Sequence, residues 1–126
     1  MLKKQNNETA YLLVTIGSRS KLGGQVTRVT TNAEYEGKAL ARVGDIVTYD
    51  DGSEATIIDG AGFAATWDDK PLALVGSHLS NGDTITETLQ DGWGITVREG
   101  ETIPGLFDPS YRLPFTNMPE GIKAYA

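Results

Sequence analysis

The sequence predicts an all-β protein built from short strands that are joined by tight turns. Its 126 residues include 15 glycines, and glycine is the residue that turns with positive φ most often need. Runs rich in valine, isoleucine, threonine and aromatic residues alternate with these glycines, which is typical of strands on a pleated surface. No stretch keeps a helical period beyond about two turns, so a helix of ordinary length, roughly 10–14 residues, is not expected.

A chain of this length is expected to form one domain with tails at its ends. Residues 1–10 are mostly polar and are predicted to be a flexible N-terminal tail. Residues 11–98 are predicted to form the folded domain, and residues 99–126 to form a C-terminal extension. The basic start lacks the apolar run of a signal peptide or a membrane span, so we expect cytoplasmic synthesis without a signal peptide.

Strand-prone segments and turn signals alternate along the whole domain. Residues 50–52, Asp-Asp-Gly, form a strong turn signal, because glycine accepts positive φ and aspartate bonds local amides. Two short hairpins are predicted, one around Gly37 and one at Asp68 and Asp69. The predicted strands cover residues 11–16, 25–31, 46–49, 55–58, 63–67, 84–89 and 93–97.

Two copies of one structural unit are visible in the sequence. Residues 36–45 return in degraded form as residues 68–77, with Gly44 and Gly76 standing 32 positions apart. The apolar positions of the first copy stay apolar in the second, as a duplicated packing unit requires. The repetition therefore predicts that both copies pack in the same way around one core.

The extension of residues 99–126 holds four of the five prolines, among aromatic and aliphatic residues. Proline restricts the unfolded chain, so such a segment loses less entropy when it becomes ordered on a surface. We expect it to run extended, either over the core of the domain itself or against a partner. Its predicted anchors are Leu106, Phe107, Tyr111, Leu113 and Phe115.

Charge and cysteine content exclude several classes of function. The formal net charge is −6, whereas nucleic-acid binding depends on clustered lysine and arginine, so no nucleic-acid partner is expected. The chain has no cysteine, which excludes disulfides and thiolate metal sites. The stability of the fold is therefore expected to come from its core or from a partner.

Two short motifs carry a resemblance to a known family. Residues 39–42, Ala-Leu-Ala-Arg, resemble the proline-alanine-alanine-arginine motif of the PAAR-repeat family. Residues 71–74, Pro-Leu-Ala-Leu, form a second copy that lacks the arginine. The glycines that end three strands also match the pattern of the family, and they are Gly17, Gly44 and Gly76.

This resemblance, which spans about residues 11–92, implies a small cone-shaped domain of short strands with pseudo-threefold symmetry. Cones of this family cap and sharpen the trimeric β-helical spike of a type VI secretion system or a contractile phage tail. The resemblance therefore implies a non-enzymatic spike-tip protein, with one tip on each trimer of a VgrG-type spike. It also implies secretion or injection with the spike, transient contact with the target membrane, and effectors or adaptors attached through residues 99–126.

The resemblance further implies a zinc ion near the vertex of the cone, held by histidines and a cysteine that follow the three glycines. The corresponding loops of this chain offer Leu22 in the first, Tyr49, Asp50 and Asp51 in the second, and His78 and Asn81 in the third. A tetrahedral zinc site needs about four good ligands. We therefore expect no cofactor and a vertex held by packing around Leu22 and Tyr49, and the remaining metal hypothesis pairs His78 with Asp50 or Asp51.

The face that docks on the spike is predicted to be flat and apolar, although the same side chains also suit the internal core. For Arg42 the preferred hypothesis is an ion pair with Asp45 that braces the turn, and the alternative is a contact with the rim of the partner. The predicted partner-binding residues are Leu40, Arg42, Val43, Leu72, Val75 and Ile85.

No catalytic residue is predicted. Neighbouring carboxylates such as Asp50 and Asp51 are expected to face solvent on a turn rather than each other across a cleft. Ser77 beside His78 lacks the sharp elbow of a serine hydrolase. The alternatives from other classes are a small enzyme or toxin fragment that uses the acidic turn, and an unrelated small-β binding module.

Overall fold

A computed structural model of the protein describes residues 8–111. Within them the chain forms short strands and a single turn of 3-10 helix, Gly62–Ala64, which confirms the all-β prediction. No helix in this part of the chain is long and apolar enough to cross a membrane. The strands are β1 (Glu8–Leu12), β2 (Arg19–Ser20), β3 (Gln25–Arg28), β4 (Glu34–Tyr35), β5 (Lys38–Ala39), β6 (Ile46–Thr48), β7 (Glu54–Thr56), β8 (Thr66–Trp67), β9 (Lys70–Pro71), β10 (Ile85–Glu87) and β11 (Gly94–Arg98).

Five strands form the wall of a closed cone. Their order is β10-β2-β3-β6-β7, and all neighbours are antiparallel. The sheet continues past β7 onto the segment before β10, because Ile57 forms an antiparallel bridge with Leu79. That segment pairs in turn with the residue that precedes β10, through a bridge between His78 and Thr84. The wall therefore closes on itself.

Three two-stranded ribbons, two of them hairpins, form the base at the wide end of the wall. β4 pairs with β5, β8 pairs with β9, and the first and last strands, β1 and β11, pair with each other. The turn between β4 and β5 places Glu36 and Gly37 at positive φ. The turn between β8 and β9 does the same with Asp68 and Asp69, as two-residue hairpin turns that suit the twist of paired strands require. Both predicted hairpins are therefore confirmed.

A ring of three backbone hydrogen bonds marks a pseudo-threefold axis through the cone. The amide of Val14 donates to the carbonyl of Ala73 at 3.1 Å, and the amide of Ala73 donates to the carbonyl of Ala41 at 2.9 Å. The amide of Ala41 completes the ring by donating to the carbonyl of Val14 at 2.9 Å. Three copies of one structural unit therefore meet at this axis, as the pseudo-threefold prediction requires.

Each copy passes from the ring into the wall through a turn that contains a glycine at positive φ. These junction glycines are Gly17 (φ 89°), Gly44 (φ 101°) and Gly76 (φ 107°). The residue after each junction glycine uses its side chain to accept a hydrogen bond from the amide three positions earlier, so that this turned-in amide is satisfied. The pairs are Ser18 with Thr15 at 3.1 Å, Asp45 with Arg42 at 2.9 Å, and Ser77 with Leu74 at 2.9 Å.

The ring divides the core into two clusters, because successive side chains of a strand, such as Leu13 and Val14, point to opposite sides. The inner cluster lies on the vertex side, and the outer cluster lies on the base side. The inner cluster contains Val14, Val26, Ala41, Val47, Ala55, Ile57, Ala73, Leu79 and Ile85. The outer cluster contains Leu13, Ala33, Leu40, Ala61, Leu72 and Leu74.

The first strand begins earlier than the sequence indicates. Glu8 pairs with Arg98, and the register continues to Leu12 opposite Gly94, so the end of the predicted N-terminal tail is part of a paired strand. Its side chains are exposed up to residue 10, and an exposed strand needs backbone pairing but no apolar pattern. The rest of that tail, residues 1–7, lies outside the described residues.

The strand predicted over residues 63–67 is only partly correct. Its first half is the 3-10 helix, and only Thr66–Trp67 forms a strand. The chain turns away there because the amide of Phe63 donates to the carbonyl of Pro104 at 2.9 Å instead of to a neighbouring strand. The contact needs a glycine before it, since a Cβ at Gly62 would lie 2.3 Å from that same carbonyl oxygen.

The described part of the C-terminal extension packs on the cone through residues 103–107, the strap. Leu106 forms a parallel bridge with Gly60, and the amide of Phe107 donates to the carbonyl of Gly60 at 2.8 Å. The side chains of Leu106 and Phe107 pack against the outer cluster. The ring of Phe107 also meets the ring of Tyr11 edge-on, with centroids 5.1 Å apart. The remaining predicted anchors are Tyr111, which packs beside Gly105, and Leu113 and Phe115, which lie outside the described residues.

Candidate functional site

The base carries a depression of about 660 Å³ that lies on the pseudo-threefold axis. Leu13, Leu40 and Leu72 line it, and each of them stands one position before a residue of the hydrogen-bonded ring. Because all three copies contribute the same residue, the depression is centred on the axis. The leucines are almost fully buried, so they form its floor.

A second set of equivalent residues surrounds this floor. The carbonyls of Ala33, Ala65 and Trp93 each accept a hydrogen bond from the amide of the leucine in their own copy, at 2.9, 2.9 and 3.0 Å. Trp93 therefore stands where the other two copies have alanine. Its ring, 45% exposed, packs at a tilt of 50° against the ring of Tyr35, with centroids 5.6 Å apart.

The base is an apolar surface with large exposed side chains, and it is concave, whereas the sequence predicted a flat face. Trp67 also lines the depression and, like Trp93, keeps more than a third of its surface exposed. Exposed aromatic residues around a concave apolar centre mark interaction sites more often than isolated surface residues do. The geometry of the base therefore suits a partner with an apolar end that lies on the same axis.

Five of the six sequence-predicted partner-binding residues lie in three different places. Leu40 and Leu72 lie on the floor of the base depression. Val43 and Val75 are half-buried on the outside of the cone, where they line separate grooves. Ile85 is buried in the inner cluster, so its side chain offers no surface to a partner and takes the internal-core role that the sequence left open.

Sequence reasoning missed Leu13, Trp67 and Trp93 as residues of the base. Leu13 could have been found, because it precedes Gly17 by four positions, as Leu40 precedes Gly44. The fixed offset of 32 positions concealed it. Neither tryptophan carries a motif. Trp67 belongs to the predicted hairpin of β8 and β9, whereas the position of Trp93 follows from the pairing of the distant strands β1 and β11.

Arg42 braces its turn through Thr30 rather than through an ion pair with Asp45. Its Nε donates to the hydroxyl of Thr30 at 2.9 Å, and its Nη1 donates to the carbonyl of Trp67 at 2.9 Å. The hydroxyl of Thr30 donates in turn to Oδ1 of Asp45 at 2.6 Å. The preferred hypothesis of an ion pair is therefore wrong, because the carboxylate of Asp45 is used by Thr30 and by the amide of Arg42.

The opposite end of the cone, the vertex, is formed by one turn from each copy. The three turns contain Gly23, Gly52 and Gly82, all at positive φ. Leu22 of the first turn, Tyr49 of the second and Asn81 of the third line one shallow pocket. The vertex is therefore the point at which the three copies meet again.

Asp83 is buried at the vertex and accepts hydrogen bonds from several turns. Its Oδ2 accepts from the hydroxyl of Tyr49 at 2.6 Å. Its Oδ1 accepts from the amide of Leu22 at 3.1 Å and from the amide of Thr84 at 2.8 Å. Asn81 completes the network, since its Nδ2 donates to the hydroxyl of Tyr49 at 3.1 Å.

This network shifts the pKa values of both of its ionisable groups. Burial by itself raises the pKa of Asp83, but hydrogen bonds from Ser20, Tyr49, Thr84 and Leu22 outweigh that effect and lower the pKa below its ordinary value of 3.8. Burial, together with the hydrogen bond to Asp83, raises the pKa of Tyr49 above 10.0. At neutral pH the carboxylate is therefore ionised and the phenol is protonated.

The residues at the vertex do not fit the zinc ion that the family resemblance implies. Among residues 8–111 no group of three or more histidine, cysteine, aspartate or glutamate side chains could hold a metal. The oxygens of Asp83 are already engaged by hydrogen-bond donors. The expectation that Leu22 packs at the vertex is wrong, because its side chain is 66% exposed, and hydrogen bonds hold the turns instead.

His78 pairs with Asp59 rather than with Asp50 or Asp51. Its Nδ1 lies 2.7 Å from Oδ2 of the buried Asp59, and its amide donates to Oδ1 at 2.8 Å. Asp51 instead accepts from the hydroxyl and the amide of Ser53, which lowers the pKa of Asp51. The structure therefore does not bring the three metal candidates together.

Of the residues that the sequence raised as catalytic alternatives, Ser77 and His78 have structural roles, and Asp50 and Asp51 face solvent. Ser77 is fully buried, and its hydroxyl accepts from the amide of Leu74. The ring of His78 is turned to Asp59, so Ser77 and His78 do not form a pair of nucleophile and base. Asp50 and Asp51 are exposed on the vertex turn, as the solvated-turn interpretation predicts.

Comparison with known proteins identifies the family to which this fold belongs. A family model for the PAAR motif matches residues 16–87, which is more than half of the chain. The matched range begins before Gly17 and ends with β10, so it contains the three junction glycines and the complete wall. A search of curated proteins found no match. The chain belongs to the PAAR motif family.

Proposed function

We propose that this protein is a non-enzymatic spike tip that caps and sharpens a trimeric β-helical spike of the VgrG type. The machine would be a type VI secretion system or a related contractile injection machine. Membership of the PAAR motif family supports the proposal, because this is a structural spike-tip family. The observation that carries it furthest is the apolar depression on the pseudo-threefold axis of the base.

The symmetry of the base suits the end of a trimer. A trimer presents three identical chain ends around its axis, and the base presents Leu13, Leu40 and Leu72 around its own axis. One chain can then contact all three ends at once and bury apolar surface from each. Trp93 breaks the symmetry on one side, so the three ends of the spike would meet unequal surroundings.

The shape of the cone suits a mechanical role. The wall closes on itself, and the ring ties the three copies together at the axis. When its base docks on the spike, the cone would also cover the strand edges at the end of the β-helix. Uncovered strand edges favour aggregation. During injection the exposed Leu22 of the vertex would be among the first side chains to meet the target membrane.

We extend the proposal to effectors or adaptors, which would attach through residues 99–126. Part of this extension has a structural role, because Leu106 and Phe107 pack on the outer cluster. Attachment therefore falls mainly to the residues that follow the strap. Secretion of the protein would then take place through the machine, together with the spike.

The experiment is to mix the purified full chain with the spike trimer from the same source and to determine the mass of the complex. We expect one chain per trimer. The variant Trp93→Ala should weaken binding by about tenfold or more, because a tryptophan that is a hot spot of an interface commonly contributes about 2 kcal/mol or more. Thermal unfolding of this variant checks that the loss does not come from misfolding.

Leu89→Ala is the matched control for this experiment. Leu89 is 49% exposed, close to the 45% of Trp93, but it does not line the base depression. We expect this variant to bind the spike like the unchanged chain. Absence of a complex, or equal losses in both variants, would count against docking through the base.

A further inference from the structure

Three turns that are distant in the chain meet at the vertex. Leu22 and Asp83 are 61 positions apart, and Tyr49 and Asp83 are 34 positions apart. Each turn is shaped by its own short bond, as in the turn where the amide of Gly23 donates to the carbonyl of Ser20 at 3.1 Å. Such local bonds shape a turn, but they do not hold it against the other two.

We propose that Asp83 cross-links the vertex and takes the structural place of a metal ion. Its buried carboxylate joins the turn of the first copy through the amide of Leu22. It joins the turn of the second copy through the hydroxyl of Tyr49. Asp83 itself belongs to the turn of the third copy, so one side chain connects all three. This inference holds whether or not the protein caps a spike.

In the network around Asp83, the polar groups of Asp83, Tyr49 and Asn81 form hydrogen bonds with one another. The hydroxyl of Tyr49 donates to Asp83 and accepts from Nδ2 of Asn81. Oδ1 of Asn81 accepts from the amide of Asp83 at 3.0 Å. Hydrogen bonds to a charged acceptor are about twice as strong as neutral ones, and a buried network stabilises a structure only when its members are satisfied. The geometry of the vertex meets that condition.

The same groups could bind a metal ion only by losing these bonds. A cation at Asp83 would have to displace the amide of Leu22 or the hydroxyl of Tyr49. Tyr49 is protonated at neutral pH, since burial and Asp83 raise its pKa, so it acts as a donor and not as a phenolate ligand. The vertex therefore favours the carboxylate cross-link over metal coordination.

Thermal unfolding of the full chain, purified without a histidine tag, tests the cross-link. Asp83→Asn and Tyr49→Phe should each lower the Tm by roughly 4 °C or more. The double variant should lose less than the sum of the two, because both changes break the same bond. Asp50→Asn is the matched control, since Asp50 is an exposed carboxylate on the vertex turn that contains Tyr49. The Tm of this variant should equal that of the unchanged chain.

Two further measurements separate a cross-link from a general loss of stability. The amide of Leu22 should exchange with solvent at least about tenfold faster in the Asp83→Asn variant, since it loses its charged acceptor. Metal analysis should find no stoichiometric zinc, and neither a chelator nor added zinc should move the Tm.

Three results would overturn the proposal. The first is stoichiometric zinc together with a fall in Tm on chelation. The second is an Asp83→Asn variant that is as stable as Asp50→Asn. The third is full additivity of the Asp83 and Tyr49 changes, which would mean that the two side chains act independently.

Discussion

The three junction turns meet one geometric need with different residues. Each turn has a glycine at positive φ, followed by a side chain that caps an amide. In two copies a serine hydroxyl accepts the hydrogen bond from this amide. In the remaining copy Asp45 does so with one carboxylate oxygen, and its second oxygen accepts from the hydroxyl of Thr30. Arg42 then holds Thr30 and the carbonyl of Trp67. The copy that has Leu74 in place of the arginine buries this leucine in the outer cluster instead.

Asp83 is expected to make the stability of the protein sensitive to acid. Burial raises its pKa, but the hydrogen bonds it accepts lower the pKa below 3.8. Its contribution is therefore fully present above the unfolded value and is lost as the pH falls through the lower folded value. Urea unfolding at a series of pH values should show this loss in the unchanged chain and a smaller loss in Asp83→Asn. An equal loss in both chains would contradict the prediction.

Tyr49 is expected to act at the alkaline end of the pH range. Burial, and then its hydrogen bond to Asp83, raise its pKa above 10.0. The contribution of Tyr49 is therefore fully present below the unfolded pKa of about 10 and is lost as the pH rises through the folded value. Tyr49→Phe should remove this part of the alkaline dependence. Identical alkaline profiles for the two chains would contradict the assignment.

At the scale of elements, the two ends of the domain form the third two-stranded ribbon of the base. β1 and β11 pair over five residues, in the place that β4–β5 and β8–β9 take in the other copies. A pair of strands that are distant in the chain has no connecting turn and therefore no turn signal, so the partners cannot be predicted from adjacent residues. This is why the start of β1 at Glu8 and the position of Trp93 on the base were not predicted.

The strap is a second element whose role depends on packing. It runs beside Gly60 and places Phe107 against the outer cluster and Tyr11. The prediction that this segment runs extended is wrong for the strap, which folds into tight turns. Gly105 and Phe107 both have positive φ, and the amide of Leu106 donates to the carbonyl of Ile103 at 3.2 Å. The sequence indicated an extended segment with apolar anchors, but it left open whether the core or a partner would take them. For Leu106 and Phe107 the core takes them.

Phe107→Ala is therefore expected to destabilise the whole domain. Loss of a partly buried phenylalanine should lower the free energy of unfolding by about 1.5–3 kcal/mol. Phe63→Ala is the control of the same residue type, because Phe63 is largely exposed, and it should cost less than about 0.5 kcal/mol. Denaturant unfolding of both variants measures the difference. Equal effects would show that the strap does not stabilise the cone.

At the scale of the whole molecule, the three copies are joined because both the wall of strands and the hydrogen-bonded ring close on themselves. The wall has antiparallel partners from β10 to β7 and returns to β10 through the segment around Leu79. The ring of Val14, Ala41 and Ala73 closes in the same way around the axis. A closed sheet has no edge strand to protect, and no single copy can open without breaking bonds to the other two.

This closure predicts a single cooperative unit. The amides of Val14, Ala41 and Ala73 should exchange with solvent only through global unfolding, with protection factors that agree within about tenfold. The amide of Ser53, in an exposed turn, should exchange far faster and serves as the reference. Hydrogen exchange followed by NMR measures all four amides. Much weaker protection of one ring amide would mean that its copy opens locally.

The sequence by itself determined the class of the fold and its local geometry. Glycines at the junctions, paired turn residues at Asp68 and Asp69, and β-branched runs act on their immediate neighbours, so adjacent residues are enough to predict them. The motif at residues 39–42 and its copy indicated the family, which the family model confirms.

Only the tertiary structure decided which surfaces these units expose. It placed Leu40 and Leu72 on the floor of the base and Ile85 inside the cone. It also brought Asp83 to Leu22 and Tyr49 at the vertex. These contacts join residues 34 and 61 positions apart, and they exist only after three unequal copies have closed around one axis. The spacing of motifs along the sequence does not predict this closure. Closure depends on backbone hydrogen bonds between the three copies, whereas motif spacing describes only the residues within one copy.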